Sequence, residues 1–176
     1  ERLNALCDRY DMDDIALVSE EIISRSAKAT REAIKALPGG TYHGETTFDV
    51  PGGEVITLKT AVTIDADAGD ITIDFEGSSG PSKSGINVVM AYTQAYATFA
   101  IRSLLNPDLP NNYGSLSPIV VKAPEQCIVN AQYPVPCNAR HVVGMYVPFP
   151  ILNALSEILP ERSVAGGPGA VWTIQI

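Results

Sequence analysis

Between residues 55 and 65, Ile56, Leu58, Val62 and Ile64 fall on one side of an extended chain and Thr57, Lys59 and Thr63 on the other. Side chains of a strand repeat their direction every two residues, so this pattern makes a β-strand with one face in a core and one in water. Asp67-Ala68-Gly69-Asp70 then turns the chain, after which Ile71, Ile73 and Phe75 point in while Thr72 and Asp74 point out. Upstream, residues 41–49 lead into the turn Pro51-Gly52-Gly53. Strands joined by such short turns pair antiparallel.

Helical spacing flanks these hairpins. Ile15, Val18, Ile22, Ala29, Ala33 and Leu37 predict a long amphipathic helix over residues 13–37. Asp11, Asp13 and Asp14 suit its positive end, and Pro38-Gly39-Gly40 stops it. Residues 88–105 read as a helix apolar nearly all round, with Arg102 its only charge, and a helix of that kind is buried. Beyond it the spacing predicts short strands over 116–122 and 126–129 and a last helix over 149–159. Gly166-Gly167-Pro168-Gly169 reads as a loop before a β-prone run over 171–176. The fold class is α+β: antiparallel β-hairpins with a long N-terminal helix and a buried central helix. The chain starts without methionine and stops on the β-prone run, so it reads as an internal fragment, one domain or part of one.

With 176 residues, 45% of them hydrophobic, the chain is long enough to bury a core. Its net charge of −8, with 12 scattered Lys and Arg, offers no stripe for a phosphate backbone, so nucleic acid is not an expected partner. The longest apolar runs fall far short of a bilayer span, and no membrane association is expected. Cys7, Cys127 and Cys137 form no C-x-x-C, and their odd number suits a reducing, cytoplasmic setting; a Cys127–Cys137 bridge is the alternative.

The chemistry-bearing stretch is the Gly- and Ser-rich loop from Asp74 to Asn87. Gly77-x-x-x-x-Ser82-Lys83-Ser84 has Walker A spacing, but Ser82 replaces the second glycine, Pro81 removes an amide, and the preceding strand belongs to an antiparallel hairpin. A nucleotide site is not expected there. Asn87 either caps the following helix or forms the turn before it, or it contacts a ligand. Arg140-His141 either binds a carboxylate and shuttles a proton or is a solvated surface pair. The two histidines, His43 and His141, have no third ligand at zinc spacing, and Ser115 and Ser117 lack a nucleophile elbow. Cys127 reads as inert core.

Several motifs in order resemble the hydantoinase B/oxoprolinase family. They are Ser26 to Ile34, Leu37-Pro38-Gly39-Gly40-Thr41-Tyr42, Ile73-Asp74-Phe75-Glu76-Gly77-Ser78-Ser79 and Gly85-Ile86-Asn87. Asn111-Asn112-x-Gly114, Ala123-Pro124-Glu125, Val129-Asn130 and Asn138-Ala139-Arg140 continue the pattern. The resemblance implies a B-type subunit working with a hydantoinase A-like partner that binds ATP, so that ATP is not held by this chain. Such pairs open hydantoin or 5-oxoproline rings by ATP-dependent amide hydrolysis. On this resemblance Asp74 and His141 are the candidate catalytic residues, with Asn87 and Arg140 as candidate substrate contacts. The related acetone carboxylases use a similar subunit, and their resemblance implies a metal on an upstream His- and Asp-rich motif that this chain does not match, so no residue here is assigned to a metal. A non-catalytic scaffold at a subunit interface is the alternative reading. The stretch His141-Val142-Val143-Gly144 and Tyr146 to Pro150 departs from the hydantoinase pattern, which leaves the substrate open.

Overall fold

In the computed structural model, which describes residues 1–50, 52–165 and 167, the alternating segments form a sheet of four strands in the order β1-β2-β3-β4. They are β1 (Gly40–Asp49), β2 (Val55–Asp65), β3 (Asp70–Asp74) and β4 (Ile119–Lys122). β1 and β2 pair antiparallel from Gly40 opposite Ile64 to Asp49 opposite Val55, and β3 continues the meander with Asp74 opposite Ala61. β4 then adds parallel to β3, with Asp74 beside Lys122. A parallel neighbour requires a long crossover, which the intervening helix α3 (Met90–Leu105) supplies.

Ile56, Leu58, Val62, Ile64, Ile71 and Ile73 are all buried, as the alternation requires. They face α3 and α6 (Pro148–Leu155), which pack on one side of the sheet. The helices α1 (Arg2–Tyr10) and α2 (Ala16–Lys35) precede the sheet, and α4 (Tyr113–Leu116) and α5 (His141–Gly144) are single turns. A 3₁₀ turn over Pro160–Arg162 follows α6. The expected α+β class and the hairpins are present, but the central helix is buried on one face only: Thr93, Ala97, Ala100, Ile101 and Leu104 are inside, while Phe99 is 62% exposed.

Some expectations are corrected. The long helix is shorter than residues 13–37, opening where the Asp14 carboxylate accepts the Ala16 N–H at 2.7 Å. Its buried face is Ser26, Thr30 and Ile34, whereas Val18 and Ile22 are exposed. The cause is α4: Gly114 lies so close that a Cβ there would sit 1.9 Å from the Ile23 carbonyl oxygen. Thr30 donates to the Ser115 carbonyl at 3.3 Å and Asn112 to the Ser26 hydroxyl at 2.8 Å, so small polar residues hold this contact. Residues 126–129 are not a strand. Ile128 and Val129 are buried, but Ile128 reaches Ser79 and Val88 through single backbone bonds of 2.9 and 2.8 Å, and Gln126 turns the chain at φ 61°. The last helix ends at Leu155 rather than 159. The run over 171–176 lies outside the described residues, as does most of the 166–169 loop.

Candidate functional site

β3 is short, and β2 extends well beyond it. The loop after Asp74 fills that gap with serines. Ser78 Oγ accepts the Lys59 N–H at 2.9 Å and donates to the Lys59 carbonyl at 3.1 Å, and Ser79 Oγ accepts the Thr57 N–H at 2.9 Å. Side-chain hydroxyls thus take the place of a strand partner. Replacing Ser79 by Ala removes the partner of a part-buried amide and is expected to cost about 1–2 kcal/mol in urea unfolding, with Thr57 exchanging its amide hydrogen faster.

Further on, Ser82 Oγ donates to Glu54 at 2.5 Å and accepts the Ser84 N–H at 3.0 Å. Asn87 is fully buried, and its Oδ1 accepts the Ser82 N–H at 2.7 Å. Its Nδ2 donates to the carbonyls of Ser82, Ser84 and Pro136 at 2.9, 3.0 and 2.9 Å. The amides of Ser82 and Ser84 are therefore consumed inside the loop rather than aimed at a phosphate. Val89 rather than Asn87 occupies the cap position of α3, and Asn87 instead holds the turn before it. With no exposed surface, Asn87 acts by holding the loop.

That loop end docks on the segment carrying Arg140. Ala139 donates its N–H to the Gly85 carbonyl at 2.6 Å, and a Cβ on Gly85 would sit 2.5 Å from Asn138 Oδ1. Asn87 and Arg140, far apart in sequence, are thus brought together, with exposed His141 opening α5. Tyr92 and Tyr96 of α3 stack beside them, centroids 4.6 Å apart. Burial, then the Tyr96 hydrogen bond and charge, push the Tyr92 phenol up to about 12, against an opposing pull from Arg140.

Asp74 is elsewhere. From Ala61, its partner, the loop runs back along β2 to the level of Val55, on the order of 20 Å at about 3.3 Å per residue. The Asp74 carboxylate accepts the Glu76 N–H at 3.0 Å, and its face of the sheet is the polar one. His43, Ala61, Asp74 and Lys122 are successive register partners across the four strands, forming one row. Over the small Ala61 lies a cavity of about 450 Å³ walled by His43, Glu45, Lys59 and Glu76. Glu45 and Lys59 pair at 3.4 Å. This cluster was not singled out from the sequence, although the period-two alternation already placed Lys59 on the open face and the hairpin register brings His43 and Glu45 to it.

Among the described residues, no ion pair includes Asp74, Arg140 or His141, and no three His, Cys, Asp or Glu side chains converge as metal ligands. The side chains present therefore do not fit the metal implied by the carboxylase resemblance. Cys7, Cys127 and Cys137 are free thiols, so the Cys127–Cys137 bridge is absent. Burial pushes the Cys127 thiol up, which keeps it protonated and inert. No helix among the described residues is long and apolar enough to cross a membrane.

Residues 1–176 match the Hydantoinase B/oxoprolinase family throughout. The chain belongs to that family. It is 30% identical over 179 aligned residues to the B-type subunit of a "Putative D-/L-hydantoinase" from Pseudomonas sp. (strain NS671), covering 94% of this chain and 30% of that protein. Its fold matches an ATP-dependent caprolactamase from Pseudomonas jessenii at a TM-score of 0.80 and 22% identity, over 91% of this chain and 28% of that one. A nucleotide-free acetone carboxylase matches at 0.69 and 19% identity, over 78% and 20%. The chain thus spans less than a third of the length of each of these relatives.

Proposed function

We propose that this chain is part of an ATP-dependent cyclic-amide hydrolase, opening hydantoin or 5-oxoproline rings in the cytoplasm together with an A-type subunit that binds ATP. The observation that carries this reading is the family match over residues 1–176. The naming of the Pseudomonas relative as one subunit of a hydantoinase supports a two-subunit assembly, and the caprolactamase supports ATP use on a cyclic amide. The consumed amides of the Asp74–Asn87 loop support placing ATP on the other polypeptide.

Amide resonance makes the ring carbonyl a poor electrophile. Transfer of a phosphoryl group from ATP to its oxygen leaves a carbon that water can attack. The tetrahedral adduct expels the protonated ring nitrogen, which opens the C–N bond and leaves an acyl phosphate, and a second water releases phosphate and the carboxylate. In that scheme Arg140 holds a substrate carboxylate and His141 moves a proton, while Asp74, at the far end of the loop, lies outside their reach. Asn87 holds the loop against the Arg140 segment. Arg140→Ala and His141→Ala in the complete complex are each expected to lower turnover by at least about tenfold. Unchanged turnover in both removes these roles.

A scaffold role is favoured by one observation. Leu3, Leu6 and Tyr10 of α1 and Leu17, Val18 and Ile22 of α2 are all exposed, an apolar surface fit for covering by another segment or subunit. Full turnover in both site variants, with loss of assembly when Leu17 and Ile22 become Ser, selects that reading.

A further inference from the structure

β4 lies at the end of the sheet, and among the described residues its one strand neighbour is β3. The Pro118 carbonyl accepts the Ile71 N–H at 2.9 Å and the Lys122 carbonyl accepts the Phe75 N–H at 3.0 Å. In a parallel ladder the residue midway between them, Val120, turns both its backbone groups toward β3 as well. Ile119 and Val121 therefore turn N–H and C=O to the outer edge, and each is 8% exposed as a whole residue.

Beside that edge runs a groove of about 480 Å³ between α3 and α4, with Ala91, Ala95 and Thr98 along its α3 wall and Leu116 and Tyr113 opposite. None of its lining residues is charged. Tyr113 and Phe99, the latter one turn beyond Ala95, are 76% and 62% exposed. Natural edge strands avoid unwanted pairing by shortness, prolines, charges or bulges; β4 is short, with Pro118 before it and Lys122 at its end, but the two residues whose backbone turns outward, Ile119 and Val121, are both apolar.

We propose that β4 is an inner strand of the complete subunit. An extended segment of the same polypeptide, from the portion outside these residues, pairs with the Ile119–Val121 edge and seats alternate apolar side chains over Ala91 and Ala95. Three observations select this occupant. The groove is uncharged, which suits permanent burial rather than reversible docking. Backbone groups turned away from β3 call for a strand rather than a helix. Relatives of which this chain covers 30% and 28% have ample further sequence to provide one.

The test is residue-resolved amide hydrogen exchange on the intact full-length subunit, first alone and then with its partner subunit. Alone, Ile119 and Val121 should exchange as slowly as Val120, within about tenfold. Fast exchange at Ile119 and Val121 beside a slow Val120 overturns the proposal: if protection appears only with the partner, the strand belongs to the partner, and if it never appears, the edge is bare.

Discussion

Gly44→Ala is expected to unfold or severely destabilise the chain, although it adds one methyl group in a strand. A Cβ on Gly44 would lie 1.9 Å from the Pro150 carbonyl oxygen and 2.8 Å from the Ala154 nitrogen. Both are backbone atoms of α6, so no side-chain rotation relieves the overlap. Either α6 lifts from β1, opening the core around Ile151 and Leu155, or β1 bends and breaks its register with β2. Overpacking of this kind costs about 1–3 kcal/mol where side chains can shift. Against backbone the cost is expected above about 3 kcal/mol, a drop of roughly 10 °C for a chain of this size. Urea unfolding measures it, and Gly52→Ala, where nothing lies within 4 Å, is the comparison, with only its positive φ of 102° to strain it. Equal losses in the two variants sink the close-approach argument.

Gly44 also marks where the sequence stops being legible. The hairpins were readable because a buried face forces period two on Ile56, Leu58, Val62 and Ile64, and α3 was readable as a helix, although its apolar surround predicted burial on every side and Phe99 is exposed. A glycine in a strand signals a bulge, a bend or a close backbone approach without saying which. The α6 contact that decides the matter comes from residues roughly a hundred positions away. The buried face of α2 was misjudged for a related reason: apolar spacing nominated Val18 and Ile22, but Gly114 and the polar trio Ser26, Thr30 and Asn112 let α4 approach on another face. Residues 126–129 carry the continuous apolar run Cys127-Ile128-Val129, yet hydrophobicity records burial and not ladder pairing.

The site divides the same way. Asp74 and Asn87 bracket one loop in sequence, and sequence proximity invited placing them at one substrate. The loop instead runs along β2, because Ser78 and Ser79 satisfy the strand edge that β3 leaves uncovered, and its two ends part. What the sequence could not express is that Gly85 needs contact with Ala139, which makes Asn87 and Arg140 neighbours. Nor did it reveal that Ala61, an ordinary small residue of a strand, leaves the notch between His43, Glu45, Lys59 and Glu76.

Asn87→Ala is expected to be the most damaging change in the loop, and to act through stability. The amide makes four hydrogen bonds to backbone and is 0% exposed, so truncation strands the Ser82 N–H and leaves three carbonyls short of a donor. Buried groups left unpaired cost about 1–3 kcal/mol each, and partial relaxation makes a total of roughly 3–5 kcal/mol the expectation. Asn87→Asp separates this role from a contact with substrate. The carboxylate keeps its acceptance from Ser82 but faces three carbonyl oxygens, so the fold favours its protonated form and raises its folded pKa above the unfolded value of about 3.9. The variant's stability is then greatest below that value and falls as pH rises toward the folded pKa. A holding role therefore gives Asn87→Asp an unfolding midpoint that declines from about pH 4 upward, while the wild type shows no matching loss over that range. If Asn87→Asp matches the wild type in stability at neutral pH and loses only substrate affinity, the amide meets substrate and does not hold the loop.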